Sequence, residues 1–422
     1  MNGTGTDGRE IELKILFVNK FLYPRAGAET YMFMLADELA RTGRTVAYFG
    51  MEDERNTVNV LRSDINVKNK DFHYSSFIKR MGYPLSIVYS LEARRKLKKV
   101  LENEKPDIVH LNNINYQITP SIIYELEKNN IPVVMTLHDA NIICPNHSLY
   151  NYGSNRICTL CKDGRYINCI NTRCIHNSVA KSMIGCLEGS LYKLLNTYCK
   201  INTLISPSRF MADMLKSFGM KHPDTRVIMN FSPPVSGRPD NNGGYVLYFG
   251  RICISKGLDV LLEAAARLPD MNFVVAGEGE YADRLSGHKN ITVTGFLKGD
   301  SLKDCIRNAR IVAVPSNWHE NCSMAILESK SFGVPVIASD TGGNPEIVRD
   351  GVDGLLFERG NAEQLAEKIR ELYNNRERLR LLSENSLEFA KQNSLRNYAE
   401  KICNIYNEQI TKVKEAAKYE CV

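Results

Sequence analysis

Residues 245–268 read YVLYFGRICISKGLDVLLEAAARL, and this stretch decides the fold class. Its first five residues, Tyr245–Phe249, form an apolar run typical of a buried parallel strand. A loop with glycine at both ends leads into a predicted helix over Leu258–Arg267. A strand followed by a loop and a helix is part of a β-α-β unit, which predicts a parallel sheet covered by helices.

The same alternation continues towards the carboxyl end. Further strands are predicted at Asn272–Ala276, Ile291–Thr294, Ile311–Val314 and Val334–Ala338, and helices at Met324–Ser331, Ala362–Tyr373, Leu379–Gln392 and Tyr398–Lys418. We therefore predict a doubly wound domain over residues 244–395 and a terminal helix over 396–422.

A second alternating pattern precedes residue 231. The first predicted strand is the apolar run Ile11–Asn19, which contains Lys14–Val18, and further strands are predicted at Thr45–Phe49, Ile108–Leu111, Pro132–Leu137 and Thr203–Ser206. Helices are predicted from Glu29 to about Gly43 and over Leu91–Glu104, Ser121–Lys128 and Ser208–Phe218. Between Phe231 and Gly244 the composition changes to Ser, Pro, Gly, Asp and Asn, which breaks helices and strands. A first domain over residues 1–235 is therefore predicted, with its boundary in this stretch.

Length and composition agree with two domains. The chain has 422 residues, of which 43% are hydrophobic, and so exceeds the length at which a single core usually stops growing. No stretch approaches the roughly 20 uncharged apolar residues that cross a bilayer. Met1–Glu12 also lacks the apolar core of a signal peptide, so we expect the protein to stay in the cytosol.

The basic charge of the chain is unevenly distributed. The formal net charge is +6, with 31 Lys and Arg against 23 Asp and Glu in residues 1–240, and 23 against 25 in residues 241–422. The densest basic segment, Ala93–Lys99, lies within an amphipathic helical pattern. Such a helix lies on an anionic membrane surface or binds nucleic acid, and the alternative is a solvated helix face.

Two cations follow the strand Tyr245–Phe249. Arg251 and Lys256 lie five residues apart on the loop that leads into the next helix. Ligands of open parallel sheets bind beyond the carboxyl ends of the strands, and fixed positive charge there stabilises a diphosphate that gains negative charge as it leaves. Taken alone, these two side chains are equally compatible with an ordinary surface loop.

Two carboxylates follow the strand Ile311–Val314. Glu320 lies in the loop and Glu328 on the next predicted helix, with seven residues between them. Asn321 and Ser323 stand where a helix N-cap belongs, so free backbone N–H groups at this helix end are suited to hold a phosphate. Glu320 then accepts hydrogen bonds from sugar hydroxyls and Glu328 from a ribose; for Glu328 the alternative is a solvated helix position.

These motifs resemble those of the retaining family 4 glycosyltransferases. The resemblance rests on Gly250-Arg251 with Lys256-Gly257, on the spacing of Glu320 and Glu328, and on the runs SFGVPVIA at 331–338 and GGNPE at 342–346. It covers nearly the whole chain. It implies the α/β GT-B fold, in which two Rossmann-like doubly wound domains face each other across a cleft and the terminal helix packs back on the first domain.

The resemblance also implies a chemistry. The donor is a nucleotide-diphosphate sugar, most often linked to UDP or GDP, the anomeric configuration is retained, and no cofactor or catalytic metal is required. Within the second domain, the resemblance implies that Arg251 and Lys256, on the loop of Gly250, bind the diphosphate and that Glu328 binds the ribose. Glu320, with the backbone at the start of the next helix, holds the transferred sugar and its phosphate. The residues of this helix start are Asn321, Cys322, Ser323 and Met324.

Two positions of the first domain also match the family. His138, after the strand Pro132–Leu137, is similar to the cleft histidine that contacts the donor sugar, and with Glu320 it makes the implied catalytic pair. Residues 25–30 are similar to a glycine-rich loop that normally carries two adjacent glycines; Ala26 takes the place of the first, and Gly27 approaches the diphosphate. A plain turn between strand and helix is the alternative for this loop.

The chain contains 12 cysteines, seven of them between Cys144 and Cys199. The Cys158-x-x-Cys161 spacing is that of a zinc knuckle, and Cys144 and Cys174 complete a candidate set of four ligands for a structural zinc. Free or redox-active thiols and disulfides are the alternatives. A subgroup of the family carries a similar insertion, so residues 144–199 are interpreted as an ordered loop beside the acceptor site.

The predicted acceptor and the alternative functions follow from these residues. The predicted acceptor is a glycan or a lipid-linked oligosaccharide in cell-surface polysaccharide assembly, with the protein peripheral at the inner face of the membrane. A noncatalytic sugar-nucleotide or polysaccharide binder of the same fold is the alternative, which the intact Arg251, Lys256, Glu320 and Glu328 disfavour. An epimerase or phosphorylase lacks evident cofactor or phosphate groups, and no nucleic-acid partner is expected because no such motif is present.

Overall fold

The structure, a computed structural model, describes residues 13–58, 66–68, 86–235 and 244–420. The strands are β1 (Lys14–Val18), β2 (Thr45–Phe49), β3 (Ile108–Leu111), β4 (Val133–Thr136), β5 (Tyr150–Asn151), β6 (Arg156–Ile157), β7 (Thr203–Ser206), β8 (Thr225–Val227), β9 (Tyr245–Phe249), β10 (Asn272–Ala276), β11 (Ile291–Gly295), β12 (Ile311–Val314), β13 (Val336–Ser339) and β14 (Leu355–Phe357).

Helices connect most of these strands. They are α1 (Gly27–Arg41), α2 (Leu91–Glu104), α3 (Ile123–Lys128), α4 (Ile167–Asn171), α5 (Val179–Leu194), α6 (Arg209–Ser217), α7 (Leu258–Ala266), α8 (Ala282–Leu285), α9 (Gly299–Arg307), α10 (Met324–Ser331), α11 (Asn344–Ile347), α12 (Ala362–Asn374), α13 (Arg376–Gln392) and α14 (Leu395–Glu420). Short 3-10 turns stand at Pro120–Ile122, Lys162–Gly164, Thr197–Lys200 and Ile254–Lys256.

Two six-stranded sheets organise the fold. The first has the order β2-β1-β3-β4-β7-β8 and the second β11-β10-β9-β12-β13-β14, while β5 and β6 form a separate antiparallel ribbon. The second order is that of a dinucleotide-binding Rossmann sheet, and the first is the closely related order in which β1 pairs directly with β3. The protein therefore contains two parallel-sheet, Rossmann-like domains, as the alternation of strands and helices predicted.

The central strands are buried along their whole length. All residues of β3, β4, β7, β12 and β13 are buried, which explains why they read as continuous apolar runs rather than as an alternating pattern. The core of the second sheet is formed on one face by α7 and α12 and on the other by residues of α10.

Local signals set the helix ends. In α1 the Glu29 carboxylate accepts the backbone N–H of Ala26 at 3.1 Å, which closes a capping-box contact, so the helix begins at Gly27 and two residues earlier than predicted. Past its other end, Gly43 has φ +86°, the left-handed conformation expected for a glycine after a helix. In the region predicted as helix 121–128, a 3-10 turn precedes the shorter α3.

The last helix, α14, packs against the first sheet. The buried Tyr406 hydroxyl lies 2.5 Å from Nδ1 of the buried His110, and His110 Nε2 lies 2.8 Å from the Thr136 hydroxyl. Because His110 is on β3, these contacts attach α14 to the strand. A buried histidine whose two ring nitrogens both have hydrogen-bond partners is well satisfied.

The chain divides into two compact units that do not coincide with the sheets. The first unit is Met1–Thr136, Lys200–Thr203 and Lys401–Val422, and the second is Leu137–Cys199 with Leu204–Glu400. The predicted boundary at 231–244 lies largely outside the described residues, as does the amino-terminal segment Met1–Glu12. Among the helices that the structure describes, none is both long and apolar enough to span a bilayer.

Candidate active site

The site is positioned by the topology of the second sheet. The strand order reverses between β9 and β12, and in open α/β sheets ligands bind beyond the carboxyl ends of the strands at such a switch point. Gly250 follows β9 and Pro315 follows β12. The two loops on which the sequence placed the donor-binding residues therefore start side by side.

Backbone hydrogen bonds join these two loops. The N–H groups of Asn317 and Trp318 both donate to the carbonyl of Ser255, at 3.0 and 3.1 Å. The Asn317 side chain donates to the Asp259 carboxylate at 2.9 Å and to the Ile254 carbonyl at 3.1 Å. Since both loops are anchored to each other, the side chains that they carry are held in a fixed geometry.

Three donors converge on one oxygen of Glu320. Lys256 Nζ lies 2.7 Å from Glu320 Oε1, and the Ser316 hydroxyl and Trp318 Nε1 donate to the same oxygen at 2.5 and 2.9 Å. Burial alone would raise the pKa of Glu320, but the Lys256 ammonium and the three hydrogen bonds hold it below its ordinary value. Glu320 is therefore a carboxylate at neutral pH, and no described donor reaches its Oε2.

Both cations of the first loop, Lys256 and Arg251, also lie near the indole ring of Trp318. Lys256 Nζ lies 4.7 Å from the centroid of the indole ring and the Arg251 guanidinium carbon 5.8 Å from it. Both positions are within the range of cation–π attraction. Trp318, the single tryptophan of the chain, stands two residues before Glu320 and was not among the predicted site residues.

A glycine allows the next loop to support Glu320. Gly342 follows β13 with φ +60°, and a Cβ at this position would overlap the backbone of Glu320. The neighbouring Gly343 N–H donates to the Glu320 carbonyl at 2.7 Å. The GG pair of the GGNPE run thus fixes the backbone that carries the carboxylate.

The helix after Glu320 begins as predicted, with Ser323 as N-cap of α10. The Ser323 side chain caps no backbone N–H, so the first turn retains donors for a ligand. The Asn321 side chain is used elsewhere, donating to the Leu137 carbonyl at 2.6 Å and accepting from the Ser208 hydroxyl at 2.7 Å. Cys322 and Met324 are half-buried beside it, and burial raises the pKa of Cys322 to about 12.

Glu328 lies one turn further along α10. It is half-buried, and within the described residues no side chain or backbone group donates to its carboxylate. Burial raises the pKa of Glu328 to about 7. Glu328 is thus partly shielded from solvent, and its carboxylate remains available to a ligand.

His138 is half-buried in the loop after β4, and burial lowers its pKa to about 3, so the imidazole is neutral at physiological pH. Its neighbour Leu137 is the residue that Asn321 contacts, which brings the two predicted catalytic positions, His138 and Glu320, onto adjacent segments. Gly27 lies in the first unit as the exposed first residue of α1.

The cysteine segment differs from a zinc site. Among the residues that the structure describes, no three His, Cys, Asp or Glu side chains are grouped so as to hold a metal, so Cys144, Cys158, Cys161 and Cys174 do not form the tetrahedral set. Cys174 instead donates to Cys169, with 2.9 Å between the sulfurs. All cysteines described are free thiols.

Two family models match the chain. The model described as Glycosyltransferase Family 4 matches residues 25–232, and the model described as Glycosyl transferases group 1 matches residues 234–389. The first covers the strands β2 to β8, and the second covers the sheet of β9 with the loops of Lys256 and Glu320. Together they leave unmatched residues 1–24, residue 233 and residues 390–422.

Individual relatives agree with these models. A protein described as an uncharacterized glycosyltransferase of Methanocaldococcus jannaschii is 27% identical over 349 residues, covering 81% of this chain and 86% of the relative. Among solved structures, HepE of Anabaena with UDP has a TM-score of 0.66 at 18% identity, covering 94% of this chain and 100% of its own. Sucrose-phosphate synthase of Thermosynechococcus elongatus has a TM-score of 0.71 at 16% identity, covering 95% and 100%. The structural likeness concerns the fold.

Proposed function

Because the chain is a glycosyltransferase of the group 1 and family 4 type, we propose that it transfers a hexose from a nucleotide-diphosphate sugar to an acceptor hydroxyl with retention of the anomeric configuration. The observation that carries the proposal is the Lys256–Glu320–Trp318 cluster, which stands at the switch point of a Rossmann sheet beside an uncapped helix end. Cations and free N–H groups at this position suit a diphosphate.

Separate groups bind the diphosphate and the ribose of the donor. Arg251, Lys256 and the N–H groups of the first turn of α10 bind the diphosphate, and Gly250 lets the loop pass close to it. Glu328, whose carboxylate has no described donor, accepts hydrogen bonds from the ribose hydroxyls. A UDP- or GDP-linked sugar is the proposed donor, and the relative HepE of Anabaena was solved with UDP-glucose.

The sugar is positioned by Glu320 and His138. Three donors occupy Oε1 of Glu320 and leave Oε2 to accept from sugar hydroxyls. The neutral imidazole of His138 offers a donor or acceptor to the same sugar without adding charge. The leaving diphosphate, stabilised by Arg251 and Lys256, then helps to remove the proton of the attacking hydroxyl on the same face; this route uses no metal.

The acceptor is proposed to be a glycan or a lipid-linked oligosaccharide of a cell-surface polysaccharide. We propose two domains and a terminal helix. The domain of residues 1–235 contains Gly27 and binds the acceptor, and the domain of residues 244–395 binds the donor. The terminal helix, residues 396–422, packs on the first domain.

The test is a panel of UDP-, GDP-, ADP- and dTDP-linked sugars, scored for binding and for slow donor hydrolysis with the full chain. Hydrolysis with one donor, lost in Glu320→Ala and in Lys256→Ala, supports the transferase. A matched control is Lys303→Ala on α9, an exposed lysine that also pairs with a carboxylate, at 2.9 Å from Asp300. Binding without turnover, even with acceptor extracts, would instead favour the noncatalytic sugar-nucleotide binder.

A further inference from the structure

The helix α5 packs on the cysteine segment through one face only. Its packed face carries the buried Ser182, Gly185 and Tyr192 and the half-buried Gly189, spaced by three and four residues. The Ser182 hydroxyl accepts the backbone N–H of Ile175 at 3.2 Å, and the two glycines lie against the side chains of Ile175 and Tyr166. Small side chains on this face allow the helix to approach its neighbours closely.

The opposite face of α5 is apolar and exposed. Met183, Leu187 and Leu194 are 48%, 59% and 80% exposed, and Val179 is 43% exposed. Their spacing of four, four and seven residues places them on one stripe, and the 16-residue helix is about 24 Å long. An amphipathic helix normally buries such a stripe, so the arrangement of α5 is inverted relative to the core.

The segment of sequence that contains this stripe is rich in basic residues. Residues 144–199 contain six cations, all of them exposed, and two acidic residues, Asp163 and Glu188; the cations are Arg156, Lys162, Arg165, Arg173, Lys181 and Lys193. Within the part of the chain that the structure describes, none of the six forms an ion pair. An exposed apolar stripe on a segment that also carries six exposed, unpaired cations matches the chemistry of an anionic lipid surface.

The basic segment of α2 is engaged differently. Arg94 lies 3.3 Å from the Glu125 carboxylate, Lys96 lies 3.8 Å from Glu92 on the preceding turn, and Lys98 lies 3.7 Å from Glu102 on the following turn. Three of its five cations thus already have carboxylate partners. The helix predicted from the sequence to bind the membrane is the weaker candidate of the two.

We propose that the outer face of α5, with the cations of residues 156–193, is the surface that lies on an anionic bilayer. Met183, Leu187 and Leu194 enter the boundary between headgroups and acyl chains, and the cations contact the anionic headgroups. This surface contains none of the proposed donor-binding residues, so a failure of membrane binding would leave the proposed activity unaffected.

The experiment is cosedimentation of the full chain with vesicles of phosphatidylcholine, with and without phosphatidylglycerol, in the absence of donor. We expect binding to the anionic vesicles that weakens as salt rises, and about tenfold or greater loss of partitioning in the double variant Leu187→Gln/Leu194→Gln. Leu381→Gln is the matched control, because Leu381 is 50% exposed on α13. Thermal unfolding of each variant checks that it is folded.

Two results would overturn the proposal. If Leu91→Gln, at the 65% exposed first residue of α2, abolishes vesicle binding while the α5 variant retains it, the membrane surface lies on α2. If the wild-type chain ignores anionic vesicles but forms dimers in light scattering that the α5 double variant loses, the stripe is an interface between two copies.

Discussion

Lys256 Nζ lies 2.7 Å from Glu320 Oε1, and this ion pair joins the loops after β9 and β12. Both side chains are largely buried, at 22% and 8% exposed. Removing one partner of such a pair leaves the other as an uncompensated charge, whereas removing both does not. The pair therefore contributes to the stability of the second unit as well as to the proposed donor site.

A double-mutant cycle tests this coupling. We expect Lys256→Met to lower the free energy of unfolding by ~1–3 kcal/mol, because the buried Glu320 carboxylate then lacks its charged hydrogen-bond donor. Adding Glu320→Gln should restore part of that loss, while donor hydrolysis stays absent. Urea unfolding of the two single variants and the double variant measures the coupling; strictly additive effects would show that the pair is solvent-screened.

Trp318 offers a direct optical probe, since it is the only tryptophan of the chain. Its indole contacts Lys256 and donates to Glu320, so occupation of the diphosphate site should change its emission. We expect a saturable change on titration with UDP and none with uridine, which lacks the phosphates. In Lys256→Met the apparent affinity should fall by about tenfold or more, as for the loss of a charge-assisted hydrogen bond. An unchanged titration in that variant would remove Lys256 from the site.

Glu328 should make stability fall with rising pH. Its folded pKa of about 7 is above the ordinary 4.5, so the folded state binds more protons than the unfolded state between these values. The stabilising effect of its protonation, at most about 3 kcal/mol, is complete below pH 4.5 and is lost as pH rises through 7.

The variant Glu328→Gln separates this effect from function. At pH 8 it should unfold at higher urea than the wild type, with little difference at pH 4.5, while its affinity for UDP falls because an amide accepts ribose hydrogen bonds less well than a carboxylate. The exposed Glu388→Gln on α13 is the control. A stabilisation that is independent of pH would show that the carboxyl does not titrate near neutrality.

Most strands of the two sheets could be predicted from their apolar runs, although β14 and the ribbon of β5 and β6 were not, and the contacts of the site could not be predicted. The limits of β3, β7, β9, β10 and β12 agree with their apolar runs because a parallel strand buried on both faces has a continuous apolar sequence. The convergence of Ser316, Trp318 and Lys256 on one oxygen depends on β9 lying beside β12. That adjacency is a property of topology, which no local pattern encodes.

The helix α5 was missed for a different physical reason. A helix is recognised in sequence by an apolar face that packs and a polar face that does not. In α5 the packed face consists of Ser182, Gly185, Gly189 and Tyr192, and the apolar residues point outward. The rule fails when a helix buries small residues and exposes large ones.

Glu346 caps a helix that is distant in sequence. Its two carboxylate oxygens accept the backbone N–H groups of Arg209 and Phe210, each at 2.7 Å, at the start of α6. Glu346→Ala should lower the free energy of unfolding by ~1–2 kcal/mol, because two donors of the first turn lose their partner. Glu400→Ala, in an exposed pair with Arg396, should change it by less than about 0.5 kcal/mol. Equal effects in chemical denaturation would contradict the capping role.

Differential alkylation distinguishes the three states considered for the cysteine segment. Burial raises the pKa of Cys144 and Cys161 to about 12, so at pH 8 both thiols stay protonated and should resist iodoacetamide, whereas the half-exposed Cys158 should react. Mass spectrometry of the native protein, before and after unfolding, reads each site.

The same experiment has a distinct outcome for each alternative. A structural zinc would protect Cys158 together with the other three ligands until a chelator is added, and would appear in metal analysis in a ratio of one to the chain. A disulfide between Cys169 and Cys174 would be labelled only after reduction. Labelling of Cys158 without chelator or reductant, with Cys144 and Cys161 released only by urea, is the result expected from buried free thiols.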